Sequence, residues 1–318
     1  MSATRANSKT IADAQESNWV DAHAPDSLKP YCKLARYDRP IGTWLLLLPC
    51  WFGLALAQLA DGKSEFALTH YILFAIGAIA MRGAGCTWND IVDREYDGRV
   101  ERTELRPIPS GQISVQRALG FATVQSLVGL LVLLQFNSFT VWLGISSLAL
   151  VVLYPFAKRF TYWPQLILGM TFNWGILVGW TSIKGSFDDM GSLALAPLFL
   201  YAGAIAWTIG YDTIYAHQDK DDDALLGLKS TALRFGSHTP IWLTLFYSIT
   251  LCMWIIAAYL VAAGVLSYVA LCLVAAHFIW QVITLNIDDA SECLNRFKAN
   301  RDVGLVLCLG MALDGLMR

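Results

Sequence analysis

The sequence predicts an all-α polytopic membrane protein, a bundle of nine transmembrane helices, and three observations predict it. Hydrophobic residues make up 56% of the 318 and charged residues only 15%, against roughly 25% charged in an ordinary soluble domain. The mean hydropathy is +0.48. The apolar residues fall in repeated blocks of about 20, the length an α-helix needs to cross a hydrocarbon core of roughly 30 Å. The segments between the blocks are basic on alternate sides. A soluble domain is excluded, and so is a β-barrel, whose strands would alternate in and out over about 10 residues. Lys+Arg 23 against Asp+Glu 25 gives a net charge of −2, which leaves no electrostatic footprint for nucleic acid.

Taken in order, the first span runs from Pro40 to Ala60; Pro49 inside it is tolerated because neighbouring helices re-satisfy freed backbone groups. The next spans are Thr69 to Trp88, Val115 to Gln135 and Ser138 to Phe156. The fifth opens on Pro164, a favourable first helical position, and runs to Ile183. Leu193 to Thr213, Pro240 to Tyr259 and Val265 to Leu285 follow, and the ninth, Val303 to Leu316, is short and carries Asp314.

Orientation follows from the basic residues. Of the 23, eighteen lie on the N-terminal side: in the tail before the first span and after spans two, four, six and eight. Only Lys63, Lys184 and Arg318 lie opposite, while Arg82 and Arg117 fall within or at the edge of spans. By the positive-inside rule the N-terminus and the even-numbered loops are cytoplasmic. Residues 1–30 read as a polar tail and 31–318 as a single transmembrane domain. The tail mixes Asp13, Glu16, Asp21 and Asp26 with Arg5, Lys9 and Lys29 and has no apolar core, so it fits neither a secretory signal nor an Arg-rich transit peptide. A bacterial inner membrane is therefore expected, with a mitochondrial inner membrane second. The seven cysteines form no C-x-x-C and are read as reduced, small hydrophobes.

Two acidic clusters carry the chemistry. After span two, Asn89, Asp93 and Asp97 stand at i, i+4 and i+8, one stripe of a helix, with Arg82 within about 20° of the first two. After span six, Asp212, Asp219 and Asp223 share a stripe at spacings of seven and four. Carboxylates gathered this way repel one another unless a cation sits among them. Mg²⁺ suits oxygen ligands and bridges one or two carboxylates to substrate phosphates. Arg94, Arg102, Arg106, Lys158, Arg159 and Lys220 then become partners for diphosphate oxygens.

A diphosphate site at the edge of a bilayer implies an amphiphile such as a polyprenyl diphosphate, whose tail stays among the helices and whose allylic cation needs a dry, electron-rich site. Plainer readings stand beside these. A run such as DKDDD alone is a hydrophilic linker, Arg82 can snorkel to the polar edge, and Lys158 and Arg159 are what topology places after any helix. Asn173 more often bonds a neighbouring helix than a ligand, and His217 is left out of the site. The pairing of two matched clusters on one side argues against the linker reading.

At these residues the chain resembles the UbiA superfamily of intramembrane aromatic prenyltransferases, most closely its 4-hydroxybenzoate polyprenyltransferase branch in ubiquinone biosynthesis. The motif N-D-x-x-D-x-x-x-D matches Asn89, Asp90, Asp93 and Asp97, and Y-D-x-x-Y-A-x-x-D-x-x-D-D matches Tyr211, Asp212, Tyr215, Ala216, Asp219, Asp222 and Asp223. DRPIG (38–42), RPIPSG (106–111), YPFAKR (154–159) and LKSTALRFG (228–236) are similar too, and the likeness covers about residues 30–318. The resemblance implies nine helices around a central cavity, with Asn89, Asp93, Asp97, Asp219 and Asp223 on Mg²⁺. It places Asp93, Asp97, Asp219, Asp223 and Arg94 in catalysis, and Arg82, Arg106, Lys158, Arg159 and Tyr215 on the diphosphate or the aromatic substrate. The implied reaction is transfer of the polyprenyl group to the ring carbon of 4-hydroxybenzoate ortho to its hydroxyl. Two alternatives stay open. One is another acceptor (naphthoate, homogentisate, chlorophyllide or haem); the other is a divalent-cation carrier, against which no carboxylate relay crosses the bundle.

Overall fold

The computed structural model describes residues 18–62, 67–99, 103–186 and 194–317; residues 1–17 of the tail, Lys63, Arg102, Leu193 and Arg318 lie outside them. The long helices are α1 (Ile41–Asp61), α2 (Leu68–Asp97), α3 (Val115–Leu133) and α4, in two pieces (Ser138–Ser146 and Leu148–Leu153). They continue as α5 (Pro164–Lys184), α6 (Leu195–Ala216), α7 (Thr239–Leu260), α8 (Val265–Thr284) and α9 (Ala290–Leu316). No strand occurs among the described residues.

Seven spans among the described residues are long and apolar enough to cross a bilayer. The two expected spans outside that set correspond to α6 and α9. α6 ends in Tyr211, Asp212 and Tyr215 and buries most of its length in protein, where polar groups are tolerated as they are not against lipid. α9 starts thirteen residues before the expected Val303, capped by Asp289, which accepts from the Ser291 and Glu292 amides. Its first half is charged, so the expected nine spans are supported for seven.

α4 also departs from expectation. Its helix breaks at Ser147, whose hydroxyl donates back to the Gly144 carbonyl at 2.6 Å, a bond that competes with the helix ladder. Pro155 then tightens the chain into a 3₁₀ turn over Tyr154–Phe156. α2, by contrast, has 30 residues, about 45 Å at 1.5 Å per residue. It is longer than a hydrocarbon core, so its last turns, bearing Asn89 to Asp97, extend past the apolar layer.

The chain divides into two compact units, Met1–Gly42 with Ala80–Leu127, and Thr43–Ile79 with Val128–Arg318. In the first, a hook of two short helices, Trp19–His23 and Lys29–Leu34, precedes α1. Leu34 joins Ile91, Ile108, Ile113 and Ala118 in a small apolar core, and Tyr31 meets Phe121 edge to face.

The second unit is built on close helix contact. Lipid offers no hydrophobic drive for helices to associate, so small residues that bring backbones together do that work. A Cβ on Gly53 of α1 would collide with the Ile176 carbonyl of α5, and one on Gly179 of α5 with the Cys50 carbonyl of α1. Asn173 donates to the Ala204 carbonyl at 3.0 Å and to Thr208 Oγ1 at 2.7 Å, tying α5 to α6 as the interhelix reading expects. Trp207 of α6 donates to Asn300 of α9 at 2.8 Å, and Trp254 of α7 to the Leu200 carbonyl at 3.2 Å. α6 is thus the helix that α5, α7 and α9 share. The outward faces of α3 and α4 expose Leu130, Leu131, Trp142 and Val152, the surface a bilayer covers.

Gly179→Ala is expected to force α1 and α5 apart and lower stability by about 1–3 kcal/mol. Gly120→Ala in α3, where a Cβ meets nothing within 4 Å, is expected to be neutral or slightly stabilising. Thermal unfolding of both variants in detergent micelles checks this.

Candidate functional site

The first unit assembles the first acidic motif. α2 continues unbroken to Asp97, so Asn89, Asp93 and Asp97 do stand on one helical stripe. Asn89 Nδ2 donates to Asp93 Oδ2 at 3.3 Å. Asp93 is wholly buried and Asp97 nearly so. Arg106, from the loop after α2, donates through Nη1 to Asp97 Oδ2 at 2.7 Å and lies 3.4 Å from Asp90 Oδ1. Thr103 Oγ1 donates to the Asp97 carbonyl at 2.8 Å. The basic loop therefore closes back on the motif.

Asp90, fully buried, takes both bonds of one guanidinium nitrogen: Arg36 Nη2 donates to its two oxygens at 2.6 and 2.9 Å. Arg36 Nη1 donates to the Lys33 carbonyl at 2.9 Å. Burial works against the charge on Arg36, yet with the Asp90 carboxylate beside it its pKa stands above the ordinary arginine value. Arg36 adopts this pose at φ +60°, a left-handed conformation costing a non-glycine residue roughly 1–2 kcal/mol. Its buried ion pair over-determines it.

The other expected residues of this unit divide. The Arg82 guanidinium packs against Gly42 so closely that a Cβ there would overlap it. Arg82 is thus laid over the first turn of α1, and the DRPIG glycine is the space it needs. Arg94 points away: its Nη1 donates to the Ile91 carbonyl at 2.9 Å and its Nη2 lies 3.3 Å from exposed Glu95.

In the second unit the expected continuous stripe is broken. α6 ends at Ala216, a turn carries His217 to Asp219, and a new short helix, Lys220–Leu225, begins after Asp219. Asp212 therefore does not share one helix with Asp219 and Asp223. The break has a physical source: acidic residues favour a helix N-terminus, where the dipole is positive, and Asp221, Asp222 and Asp223 fill that first turn. Asp219 and Asp223 remain together, the Asp223 amide donating to the Asp219 carbonyl at 2.8 Å.

Several bonds fix this turn. Thr213 and Thr231 share a hydrogen bond of 2.6 Å, and the Lys229 amide donates to the Lys158 carbonyl at 2.9 Å. The YPFAKR segment is thereby strapped to LKSTALRFG at the same end of the unit as the second motif. The Arg159 guanidinium lies 5.1 Å from the Phe156 ring centroid, and the Tyr215 ring lies 4.6 Å from that of Phe297. His217 Nε2 bonds Thr239 Oγ1 at 2.9 Å. Burial, reinforced by Lys220, pushes its pKa down to about 4, so it is neutral at neutral pH and structural.

Sequence spacing missed Asp90 and Arg36. Asp90 sits seven residues before Asp97, two helical turns and the same face, a signal that was there to read. Arg36 lies 54 residues away from Asp90 and left none. The donor set of both motifs is hard oxygen, the chemistry Mg²⁺ prefers. Among the described residues no three carboxylate, imidazole or thiol groups converge on a ready cage.

The model of the UbiA prenyltransferase family matches residues 46–302. The chain is 50% identical over 290 residues to the mitochondrial 4-hydroxybenzoate polyprenyltransferase of Drosophila melanogaster, covering 91% of this chain and 72% of that protein. The fold is similar to an apo UbiA homologue from Aeropyrum pernix K1, with a TM-score of 0.72, 25% identity and coverage of 85% and 97% of the two chains. It is also similar to a UbiA homologue from Archaeoglobus fulgidus bound to GPP and Mg²⁺, with a TM-score of 0.62 at 19% identity over 89% and 99%.

Proposed function

The chain belongs to the UbiA prenyltransferase family, and from that premise we propose that it is a 4-hydroxybenzoate polyprenyltransferase. It transfers the polyprenyl group of a polyprenyl diphosphate to the ring carbon ortho to the hydroxyl of 4-hydroxybenzoate. The observation that carries this is the joint one of sequence and site: half-identity to a protein of that name over nine-tenths of the chain, with acidic motifs flanked by bound and stacked arginines. The homologue recorded with GPP and Mg²⁺ supports Mg²⁺ as the metal. The relatives' designation as mitochondrial supports the second of the two expected locations, a mitochondrial inner membrane.

The residues divide the work. Asn89, Asp93 and Asp97 of the first motif and Asp219 and Asp223 of the second supply oxygens to Mg²⁺, which when bound neutralises charge on the departing diphosphate. Arg106 fixes the Asp97 carboxylate, while Arg82, Lys158 and Arg159 supply positive charge for the diphosphate and the acceptor's carboxylate; Arg94, turned to Ile91 and Glu95, is left out of this set. Tyr215, backed by Phe297, presents a ring whose face stabilises a cation. As the allylic C–O bond breaks, diphosphate leaves with the bonding pair, the positive carbon is attacked by the ring, a C–C bond forms, and the ring proton passes to the released diphosphate or to water, restoring aromaticity.

Membranes containing the protein, given radiolabelled 4-hydroxybenzoate, a polyprenyl diphosphate and Mg²⁺, are expected to move label into an organic-extractable lipid, and to stop with EDTA. Label entering only naphthoate or homogentisate in parallel reactions would replace the acceptor while keeping the chemistry. Asp93→Asn and Asp219→Asn are each expected to lower turnover by about 10²-fold or more with the protein still inserted; wild-type rates in either variant would remove that residue from the metal site.

A further inference from the structure

Asp90 lies inside the first acidic motif, yet its surroundings give it a different task from its neighbours. It is wholly buried, and both its oxygens are held by Arg36 Nη2 at 2.6 and 2.9 Å. Its Oδ1 also lies 3.4 Å from Arg106 Nη1, the nitrogen that donates to Asp97 at 2.7 Å. The charges alternate along this line: Arg36, Asp90, Arg106, Asp97. Metal-ligating carboxylates are themselves hydrogen-bonded by outer partners that fix which oxygen faces the ion. Here Arg106 takes Asp97 Oδ2 and so sets the aim of Oδ1.

Resting on the reading that Asp97 binds metal, we propose that Asp90 is a positioning residue, not a metal ligand. It pairs with Arg36 to anchor the Arg106 guanidinium and thereby fixes the Asp97 carboxylate for the cation. The physical need is plain in the geometry. Arg36 comes from the hook before α1, Arg106 from the loop after α2, and Asp90 is the carboxylate bonded to both. Without its charge, two guanidinium groups are left to repel each other across the base of the motif, and Arg106 is driven off its place on Asp97. Arg36 makes these contacts from a left-handed backbone, at φ +60°.

The test uses the full chain in detergent micelles, with melting temperature followed against Mg²⁺ at fixed inorganic diphosphate. A bound ligand raises the melting temperature by linkage, so the baseline reads stability and the half-saturating Mg²⁺ reads metal affinity, without turnover. Asp90→Asn and Arg36→Gln are each expected to raise the half-saturating Mg²⁺ about 10- to 100-fold. The double variant is expected to be no worse than the poorer single, because the two act as one unit. Arg36→Lys and Asp90→Glu keep the charges, fold more readily, and are expected to shift it by only about threefold to tenfold.

An unchanged half-saturation in the single variants, with only a lower baseline, would reduce the pair to a structural role and overturn the proposal. A shift in Asp90→Asn without one in Arg36→Gln would overturn it differently, by making Asp90 a direct ligand. If the unsubstituted chain itself shows no Mg²⁺-dependent rise, the metal reading beneath the proposal fails, a result distinct from both.

Discussion

A carboxylate removed from water must have a cation beside it, and much of the first unit follows from meeting that demand at Asp90 and Asp97. Desolvating an ion costs several kcal/mol even after relaxation, so neither carboxylate is stable where it sits without Arg36 and Arg106. Those two arginines come from chain segments on either side of α2 in sequence. Holding them in place is what shapes the hook before α1 and turns the loop after α2 back on itself. Even the backbone strain at Arg36 belongs here: it persists because the ion pair is worth more than the conformation costs. The acidic motif is thus a tertiary knot as well as a set of potential ligands.

The second unit answers a different constraint. Apolar helices in lipid gain little by burying apolar surface against one another, so contact must come from backbone proximity and from polar groups that find partners. Gly53, Gly175 and Gly179 allow α1 and α5 to touch backbone to backbone, while Asn173, Trp207 and Trp254 bond across to or from α6. A central helix buried by protein is relieved of the need to be uniformly apolar. That freedom lets α6 end in Tyr211, Asp212 and Tyr215 and lead into the second motif.

The all-helical class, the membrane spans and the first stripe were legible because each rests on local periodicity: apolar blocks of about 20 residues, and Asn89, Asp93 and Asp97 four apart on one helix. The second stripe was misread for the same reason in reverse. Spacings of seven and four imply one face only if the helix continues, and the break after Ala216 depends on where a new helix finds its acidic first turn. The pairing of Arg36 with Asp90 was illegible because it joins segments 54 residues apart. Arg94 was placed in catalysis by the family resemblance; at i+1 from Asp93 it stands about 100° round the helix, with its side chain on the Ile91 carbonyl and beside Glu95. Arg82 was read as snorkelling or functional, and the structure gives it a definite seat over Gly42.

The two motifs also differ in how their charge is kept. In the first, cations of the protein already balance Asp90 and Asp97. In the second, Lys220 follows Asp219 directly, and a further basic group is His217, two residues before Asp219. Burial holds it neutral, with a pKa of about 4, and its Nε2 on Thr239 secures the turn. A protonated imidazole there would add a positive charge close to Asp219 in sequence. Held neutral, it secures the turn without adding one. Fixing the turn with an uncharged histidine rather than an arginine or lysine therefore adds no further positive charge beside Asp219, whereas the first motif is built around the charges of Arg36 and Arg106.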